Sequence, residues 1–549
     1  MLLLLFGLLL AMAFSAWTAW SFRHLDHLGL YHDDAIYLTG AKSLVETGEY
    51  RMPSLPGDRF QTKFPPLYPI LLSIAWQLAG DVPANLPAMM LVSWLAIPLL
   101  AGVSWLWLRR CGLGIGWTSA LCAAIVFNPT ILLMGTSLMT DVWFAALAIA
   151  SIWLSDRAPE NRSLAFLAGL LAGLAFLTRS AGIVFVASGP LFFLMRKQWR
   201  SSLAFLLAMI PCVAGWMTWC AQHKIQSSEY VFLYYLDYFA LYKVSVSVPE
   251  LPHLLYMNLW TWILGVGRLL FFNLHDSGPL YFLTNLAGLA AGAGLIRRLR
   301  QGIGAISHYD LFALFYVATL LIYMYPPNQR FSIPLLPLLM AGLWLELRYL
   351  GRLVRSQEPS IGMSADAADR SVRATVVAGV VPVVMLACSL QAAAEFVPAS
   401  MEGSAIQSRG KQQLYDWVRS NTPVSARFYA FDDPTFYLHT GRQAISMHVP
   451  SPISRREDRN ERVNYFRGLD QFADRLHLDY VVFGPYEFTR DLTDPERKTV
   501  IADLTANPTW ILRYSQSNWS VYQRTPTRTD PGPSTRNLDP GGAVNAVLK

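Results

Sequence analysis

The chain has 549 residues, of which 53% are hydrophobic and only 15% are charged. Soluble domains carry about 25% charged residues, so this composition excludes an ordinary soluble protein. The formal charge of +7 is small for this length, and no basic stripe with interleaved aromatic residues occurs, so we exclude nucleic acid as a partner. The five cysteines lie in or beside apolar runs without metal-ligand spacing, and we interpret them as small hydrophobic residues.

The apolar residues occur in runs, and about 20 consecutive apolar residues suffice to cross a bilayer as a helix. The first run, 2–21, has no basic residues before it, so we interpret it as an uncleaved membrane helix rather than a secretory signal. Either interpretation places 22–86 outside. Within this loop, 66–79 is too short to span and starts at a double proline, which predicts a half-helix at the outer interface. The next span ends on Arg109-Arg110, as expected at the cytoplasmic side.

The later apolar runs alternate in direction, and basic turns mark their cytoplasmic ends. A long polar and aromatic segment, 221–277, is predicted to lie outside, with its apolar run 254–272 at the interface. The count predicts a multi-pass protein with about eleven spans, its N-terminus inside and its C-terminus outside. The predicted spans are 2–21, 87–108, 115–135, 139–155, 163–178, 181–195, 202–220, 278–296, 309–325, 332–350 and 374–394.

The composition changes near residue 396, where helix-like and strand-like segments begin to alternate. This pattern predicts a small extracytoplasmic α/β domain at 396–524. The remainder, 525–549, is rich in proline, glycine and threonine and is expected to be a disordered tail. Residues 1–395 are expected to form the transmembrane domain, with the outer loops 22–86 and 221–277. No internal repeat is visible, which weighs against inverted-repeat transporters.

The predicted topology gathers acids and bases at the outer membrane face. Arginines in short outer turns oppose the usual charge bias, so we expect them to have partners or a task. Such groups suit the transfer of a sugar from a polyprenyl phosphate: basic side chains would bind the phosphate and stabilise the leaving group, and a carboxylate would act as general base. Capping, snorkelling and headgroup contact remain alternative roles for each. The residues are Asp33, Asp34, Asp141, Lys63, Arg179 and Arg330.

Four short segments resemble a known group of enzymes. In the first outer loop these are DDAIY at 33–37, GEY at 48–50 and PPLYP at 65–69, and the later segment is RFSIPLLP at 330–337. Together they resemble the motifs of GT-C membrane glycosyltransferases, in particular the family 39-like group with protein O-mannosyltransferases and lipid A aminoarabinose transferases. The resemblance covers roughly residues 1–350 in layout.

The resemblance implies a polytopic α-helical membrane protein with the GT-C fold, in the bacterial cytoplasmic (inner) membrane. It also implies a polyprenyl-phosphate-linked sugar as donor and an extracytoplasmic acceptor, which is a lipid, a glycan or a protein. No cofactor is certain, and a divalent metal stays open because paired aspartates fit either case. Residues 415–423 resemble the start of an outer domain in bacterial members, for which a role in acceptor recruitment is implied.

The same resemblance assigns roles to individual residues. Asp33 occupies the position of the catalytic carboxylate, and Asp34 stands where the family usually has glutamate. Lys63 lies one residue further from the double proline than the corresponding lysine. Tyr37 and Tyr68 lie inside the motifs and join the substrate-binding candidates.

We therefore predict a membrane glycosyltransferase in which Asp33 is the base. Asp34 and Asp141 would orient the acceptor or a metal. Two alternatives remain: a transporter or lipid flippase, which would place ionisable groups near mid-membrane, and a non-catalytic scaffold that presents the outer domain. The Asp432-Asp433 pair precedes a proline and is interpreted as a turn or cap.

Overall fold

The computed structural model groups the chain into two compact units. The membrane unit comprises Met1–Leu25, Pro65–Met217 and Leu251–Gly403, and the sheet unit comprises Asp26–Phe64, Thr218–Glu250 and Ser404–Lys549. From residue 526 on, the predicted tail lies outside the described residues. The structure describes 2–80, 83–158, 161–272, 279–300, 305–356, 366–456 and 458–525.

The membrane unit is helical. Within the described ranges, four helices are long and apolar enough to cross a bilayer, and a bent pair makes a possible fifth. The predicted total of about eleven spans stays a prediction. The helices that lie wholly or mostly in this unit are Leu2–Ser21, Leu67–Ala79, Leu86–Arg110, Ile115–Phe127, Pro129–Gly135, Asp141–Arg157, Arg162–Thr178, Phe185–Met195, Trp199–Gln222, Leu251–Leu270, Pro279–Leu299, His308–Leu321, Leu336–Ser356 and Asp366–Gly410, with 3-10 segments at Ser180–Val184 and Gln329–Leu335.

Two prolines explain where helices in this unit start. The predicted span 115–135 is two helices, Ile115–Phe127 and Pro129–Gly135, bent by 58°. Proline has no amide hydrogen to continue the ladder, and the Asn128 side chain caps the second helix by accepting from the Thr130 amide at 3.0 Å. The short helix predicted after the double proline is observed with 13 residues, which gives a length of about 20 Å.

Glycines let helices of the membrane unit approach one another closely. A β-carbon placed on Gly169 would lie 2.1 Å from the carbonyl oxygen of Phe205, and one on Gly294 would lie 2.0 Å from that of Gly342. Both distances are far inside van der Waals contact. Lipid is as apolar as a helix surface, so helices in a membrane associate through such close packing at small residues.

The sheet unit contains a five-stranded mixed sheet and a separate two-stranded hairpin. The order in the larger sheet is β4-β3-β5-β7-β6, with β3 parallel to both β4 and β5 and with β7 antiparallel to β5 and β6. The strands are β1 Arg51–Met52, β2 Arg59–Phe60, β3 Arg427–Tyr429, β4 Gln443–Ile445, β5 Tyr480–Phe483, β6 Trp510–Gln516 and β7 Trp519–Arg524.

Short helices connect and cover these strands. Within the predicted α/β domain, the charged segment 459–476 forms two helices that meet at Gly468. The helices of this unit are Asp33–Thr47, Tyr230–Leu236, Tyr238–Ser245, Gln412–Asn421, Asp433–Thr440, Ser451–Arg456, Arg459–Arg467, Leu469–Leu476 and Asp494–Thr505, with a 3-10 turn at Val248–Glu250.

One hydrophobic core of the sheet unit draws on three distant segments of the chain. Ile36 comes from the first segment, Phe232 and Tyr235 from the second, and Phe466 and Phe488 from the third. All five side chains are buried. The first segment also reaches the sheet itself, because the Ala444 amide of β4 donates to the Ser54 carbonyl at 2.8 Å. The segments between the apolar runs therefore fold with the C-terminal strands as one body.

Candidate active site

Asp33 and Asp34 form the first turn of the helix Asp33–Thr47. Carboxylates are favoured there by the positive end of the helix dipole. Asp34 is 1% exposed, and its oxygens accept from the amides of Gly29 at 3.0 Å and Ala35 at 2.8 Å. Burial raises the pKa of Asp34 to about 7, although the backbone hydrogen bonds act in the opposite direction. Asp33 is only partly buried, so Asp34 shapes the turn while Asp33 is the more accessible carboxylate.

Lys63 is held by aromatic residues in the same unit. Its ammonium donates to the Tyr234 carbonyl, and it lies 4.4 Å from the centroid of the Tyr234 ring and 5.1 Å from that of Phe64. Burial lowers the pKa of Lys63 to about 8, and the negative charge of Asp33 opposes this shift. Tyr37 packs edge-on against Phe64 at 5.6 Å and is 4% exposed.

Asp141 and Arg179 form an ion pair in the membrane unit. Asp141 starts the helix Asp141–Arg157, and one of its oxygens lies 2.6 Å from Arg179 Nη1. Arg179 follows the end of the helix Arg162–Thr178. The side chains are 3% and 16% exposed, so each charge is largely removed from solvent. An acid and a base at such a depth neutralise each other, which lowers the cost of keeping either there.

Arg330 and Arg179 both lie close to the ring of Phe331. The Phe331 centroid lies 5.4 Å from the guanidinium carbon of Arg179 and 5.1 Å from that of Arg330. Asn328 begins the 3-10 segment by accepting from the Arg330 amide at 3.2 Å. The structure thus brings together two arginines and Asp141 from three separate parts of the chain. An arginine-rich site of this kind suits a phosphate.

Tyr68, the last predicted site residue, is fully buried and hydrogen-bonded within the membrane unit. It is 0% exposed, and its hydroxyl lies 2.5 Å from Ser93 Oγ, which in turn donates to the Ser137 carbonyl at 2.7 Å. These bonds join the short helix Leu67–Ala79 to the helix Leu86–Arg110 and to the turn that contains Ser137.

The structure adds a polar network that the sequence did not reveal. The Tyr235 hydroxyl donates to Asp433 Oδ1 at 2.6 Å, and His32 Nε2 lies 2.8 Å from the same hydroxyl. His448 Nε2 lies 3.3 Å from it. We call His32, Tyr235, Asp433 and His448 the Tyr235 network. Asp433 was interpreted as a turn residue, and it does begin the helix Asp433–Thr440, but its side chain is completely buried in this network.

Strand order gives a physical reason for the position of Asp433. It follows β3, which lies between its parallel neighbours β4 and β5, so the direction of the chain crossover reverses at this strand. Polar residues commonly gather at the carboxyl ends of parallel strands at such a point. His448 follows β4, and Glu487 follows β5. The sequence shows the alternation of helices and strands, but it does not show the order of the strands in the sheet, which is what places Asp433 at this point.

No group of three or more His, Cys, Asp or Glu side chains suited to a metal occurs in the parts of the chain that the structure describes. The possible divalent metal stays an open part of the sequence-based prediction.

One family model matches part of the chain. Residues 63–221 match the family model described as dolichyl-phosphate-mannose-protein mannosyltransferase. A search of curated protein sequences gives no significant match.

Two solved structures are similar over most of the chain. ArnT from Cupriavidus metallidurans bound to undecaprenyl phosphate matches with a TM-score of 0.52 and 12% identity, over 94% of this chain and 98% of that one. The archaeal oligosaccharyltransferase AglB from Archaeoglobus fulgidus, in complex with an inhibitory peptide and a dolichol-phosphate, matches with a TM-score of 0.52 and 12% identity, over 96% of this chain and 75% of that one.

At such identities the structural likeness establishes the fold, while the family match covers residues 63–221. The resemblance to GT-C membrane glycosyltransferases is thereby confirmed at the level of the fold, and the chain has the GT-C fold.

Proposed function

We propose that this protein transfers a sugar from a polyprenyl-phosphate carrier to an extracytoplasmic acceptor at the bacterial cytoplasmic membrane. The matched family is described by a dolichyl-phosphate-linked mannose donor. The similar ArnT structure contains undecaprenyl phosphate, and the similar AglB structure contains a dolichol-phosphate. These three ligands share a phosphate on a long prenyl chain, which supports a donor of that chemical class.

The observation that carries the proposal is the placement of Arg179 and Arg330 about one phenyl ring, with Asp141 holding Arg179. A guanidinium carries several N–H donors, so Arg179 can bind a phosphate oxygen while Asp141 fixes its orientation. Such preorganised donors stabilise charge that develops on a departing phosphate.

Asp33 is the proposed base. In the reaction, its carboxylate removes the proton of an acceptor hydroxyl as that oxygen forms a bond to the anomeric carbon of the sugar. The bond between that carbon and the phosphate oxygen breaks, and the phosphate keeps the electron pair. Asp34 is the poorer candidate because it is buried and both of its oxygens accept backbone hydrogen bonds.

The remaining predicted residues have supporting roles in this proposal. Lys63 contributes positive charge that acts on Asp33. Tyr37 and Tyr68 are 4% and 0% exposed, so we assign them to the framework of the site rather than to contact with the sugar. The transporter and scaffold alternatives have no comparable observation in their favour.

Asp33→Asn tests the proposal. A strain that lacks the gene should lose one envelope glycoform. Supplying the Asp33→Asn variant to that strain should not restore the glycoform, because asparagine cannot accept the acceptor's proton. Mass spectrometry of lipid A, surface glycans and glycoproteins measures the product. The matched control is Asp26→Asn, which removes an exposed carboxylate from the same segment and should restore the product fully. A normal glycoform level with Asp33→Asn would show that Asp33 is not the base.

A further inference from the structure

His32, the residue immediately before Asp33, has an unusual backbone conformation. Its φ is +62° and its ψ is −46°, a combination that non-glycine residues seldom adopt. His32 occupies the N-cap position of the helix Asp33–Thr47, yet its side chain makes no capping bond. The ring instead lies 2.8 Å from the Tyr235 hydroxyl. The conformation of the chain at Asp33 is therefore maintained by a residue about two hundred positions away.

The Tyr235 hydroxyl has a complete set of partners. Its proton is donated to Asp433 Oδ1 at 2.6 Å, and its oxygen can accept from His32 Nε2 at 2.8 Å and from His448 Nε2 at 3.3 Å. Ser446 Oγ also lies 3.3 Å from His448 Nε2. A phenol can donate one bond and accept two, so this arrangement satisfies it and assigns the proton of the His32 ring to Nε2. A buried hydroxyl that makes all its hydrogen bonds within the protein is held in place by them.

The neighbouring helix supports the same turn by packing. A β-carbon placed on Gly29 would lie 2.6 Å from Thr435 Oγ1, in the helix Asp433–Thr440. Gly29 has a φ of +93°, and its amide donates to Asp34 at 3.0 Å. The turn that presents both aspartates thus rests on the helix that Asp433 begins, independently of the hydrogen bonds to Tyr235.

We propose that the Tyr235 network positions the proposed base: Asp433 and His448, from the C-terminal segment of the sheet unit, act through Tyr235 and His32 and hold the turn from which Asp33 projects. This inference rests on the proposed function, in which Asp33 removes the acceptor's proton. Tyr235, Asp433 and His448 are positioning residues because they act through His32. The C-terminal part of the chain is then needed for orientation of the base as well as for any role in acceptor binding.

Hydrogen exchange in the full-length protein tests the network directly. In nanodiscs, Tyr235→Phe and Asp433→Asn should each raise the exchange rate of amides in residues 26–38 at least tenfold, because the turn loses its anchor. The matched control is Tyr429→Phe, which removes the same type of bond, from a buried tyrosine to Glu487 at 2.8 Å, in the same unit. It should leave exchange in residues 26–38 unchanged. Unchanged exchange in Tyr235→Phe would overturn the proposal.

A second variant covers the case in which Tyr235→Phe does not accumulate. His32→Asn keeps a residue that tolerates positive φ but has a side chain too short to reach Tyr235. It should also raise exchange in residues 26–38 at least tenfold. If exchange in this variant were as slow as in the wild-type protein, the contact between His32 and Tyr235 would not hold the turn.

Product formation separates this proposal from the proposed function. Tyr235→Phe should lower the envelope product about tenfold at equal protein level, and the Tyr235→Phe/Asp433→Asn double variant should lose no more than the worse single variant, since both break one network. Additive losses would overturn the network. Full product with Tyr235→Phe but none with Asp33→Asn would overturn the positioning role alone, whereas full product with Asp33→Asn would overturn the base assignment while exchange still reports on the turn.

Discussion

The two units of the molecule handle buried acids in different ways. In the membrane unit, Asp141 is paired with Arg179 at 2.6 Å and Glu346 with Arg297 at 2.9 Å. In the sheet unit, Asp433 and Glu487 instead accept from buried tyrosines at 2.6 and 2.8 Å. An acid in the membrane needs a countercharge to stay ionised, whereas an acid in the sheet unit can stay neutral. Charge is thus retained where a phosphate is expected to bind.

The units also pack differently. Glycines bring helices of the membrane unit into backbone contact, as at Gly169 and Phe205. The sheet unit is filled by large side chains, among them Phe466 and Phe488 with ring centroids 4.4 Å apart. Burial of apolar surface from water stabilises the second arrangement, and close van der Waals fit stabilises the first. Enlarging a side chain at a glycine contact should therefore destabilise the membrane unit, whereas shrinking a buried side chain should destabilise the sheet unit.

The largest expected effect concerns the ion pair. Arg179→Lys keeps the positive charge but loses the planar guanidinium, so transfer should fall about 100-fold. Product is quantified by mass spectrometry of the envelope at matched protein level. Arg157→Lys, at the exposed opposite end of the helix that Asp141 starts, should retain full transfer. If both lysine variants were equally active, the pair would be structural only.

Gly169→Ala tests the packing of the membrane unit. The added methyl group would meet the Phe205 carbonyl, so the midpoint of thermal unfolding should fall by about 5 °C or more. Gly102→Ala is the control, because nothing lies within 4 Å of its β-carbon and alanine favours a helix. Thermal unfolding followed by size-exclusion chromatography compares the two variants. Equal midpoints would mean that the two helices can separate without cost.

The smallest effect is a pH dependence in the sheet unit. Burial raises the pKa of Glu487 to about 8 from an ordinary value of 4.5. The stability contributed by its neutral form is therefore fully present below pH 4.5 and is lost as the pH rises through about 8. Glutamine cannot ionise, so Glu487→Gln should gain stability relative to the wild-type protein, by about a few degrees in midpoint, between pH 5 and pH 8. A constant difference across this range would show that Glu487 is ionised throughout.

Local patterns sufficed for the short helix after the double proline. The double proline and the apolar run after it predicted a helix at 66–79, and Leu67–Ala79 is helical. The break at Asn128 escaped prediction because a single apolar run continues across it, and the three residues of β4 are too few to show a period.

For the predicted site, the first-loop motif pointed to Asp33, and the position of charges in short outer turns pointed to Arg179 and Arg330. Tyr235 and Asp433 gave no such signal. A tyrosine in an aromatic-rich loop and an aspartate before a proline are both ordinary, and their bond spans 198 positions. Interactions of that range depend on strand order, which a single sequence does not contain.

The three-segment core has a consequence for biosynthesis. Ile36 leaves the ribosome long before Phe466, a delay of roughly 20 to 90 s at about 5–20 residues per second. Until then the core around the turn with Asp33 lacks its C-terminal segment, and the contacts that complete it are among the most non-local in the chain. The turn that carries the proposed base would therefore become fully ordered only late in synthesis. Chains truncated by premature termination would lack an ordered turn, so an unfinished protein could not consume the lipid-linked donor.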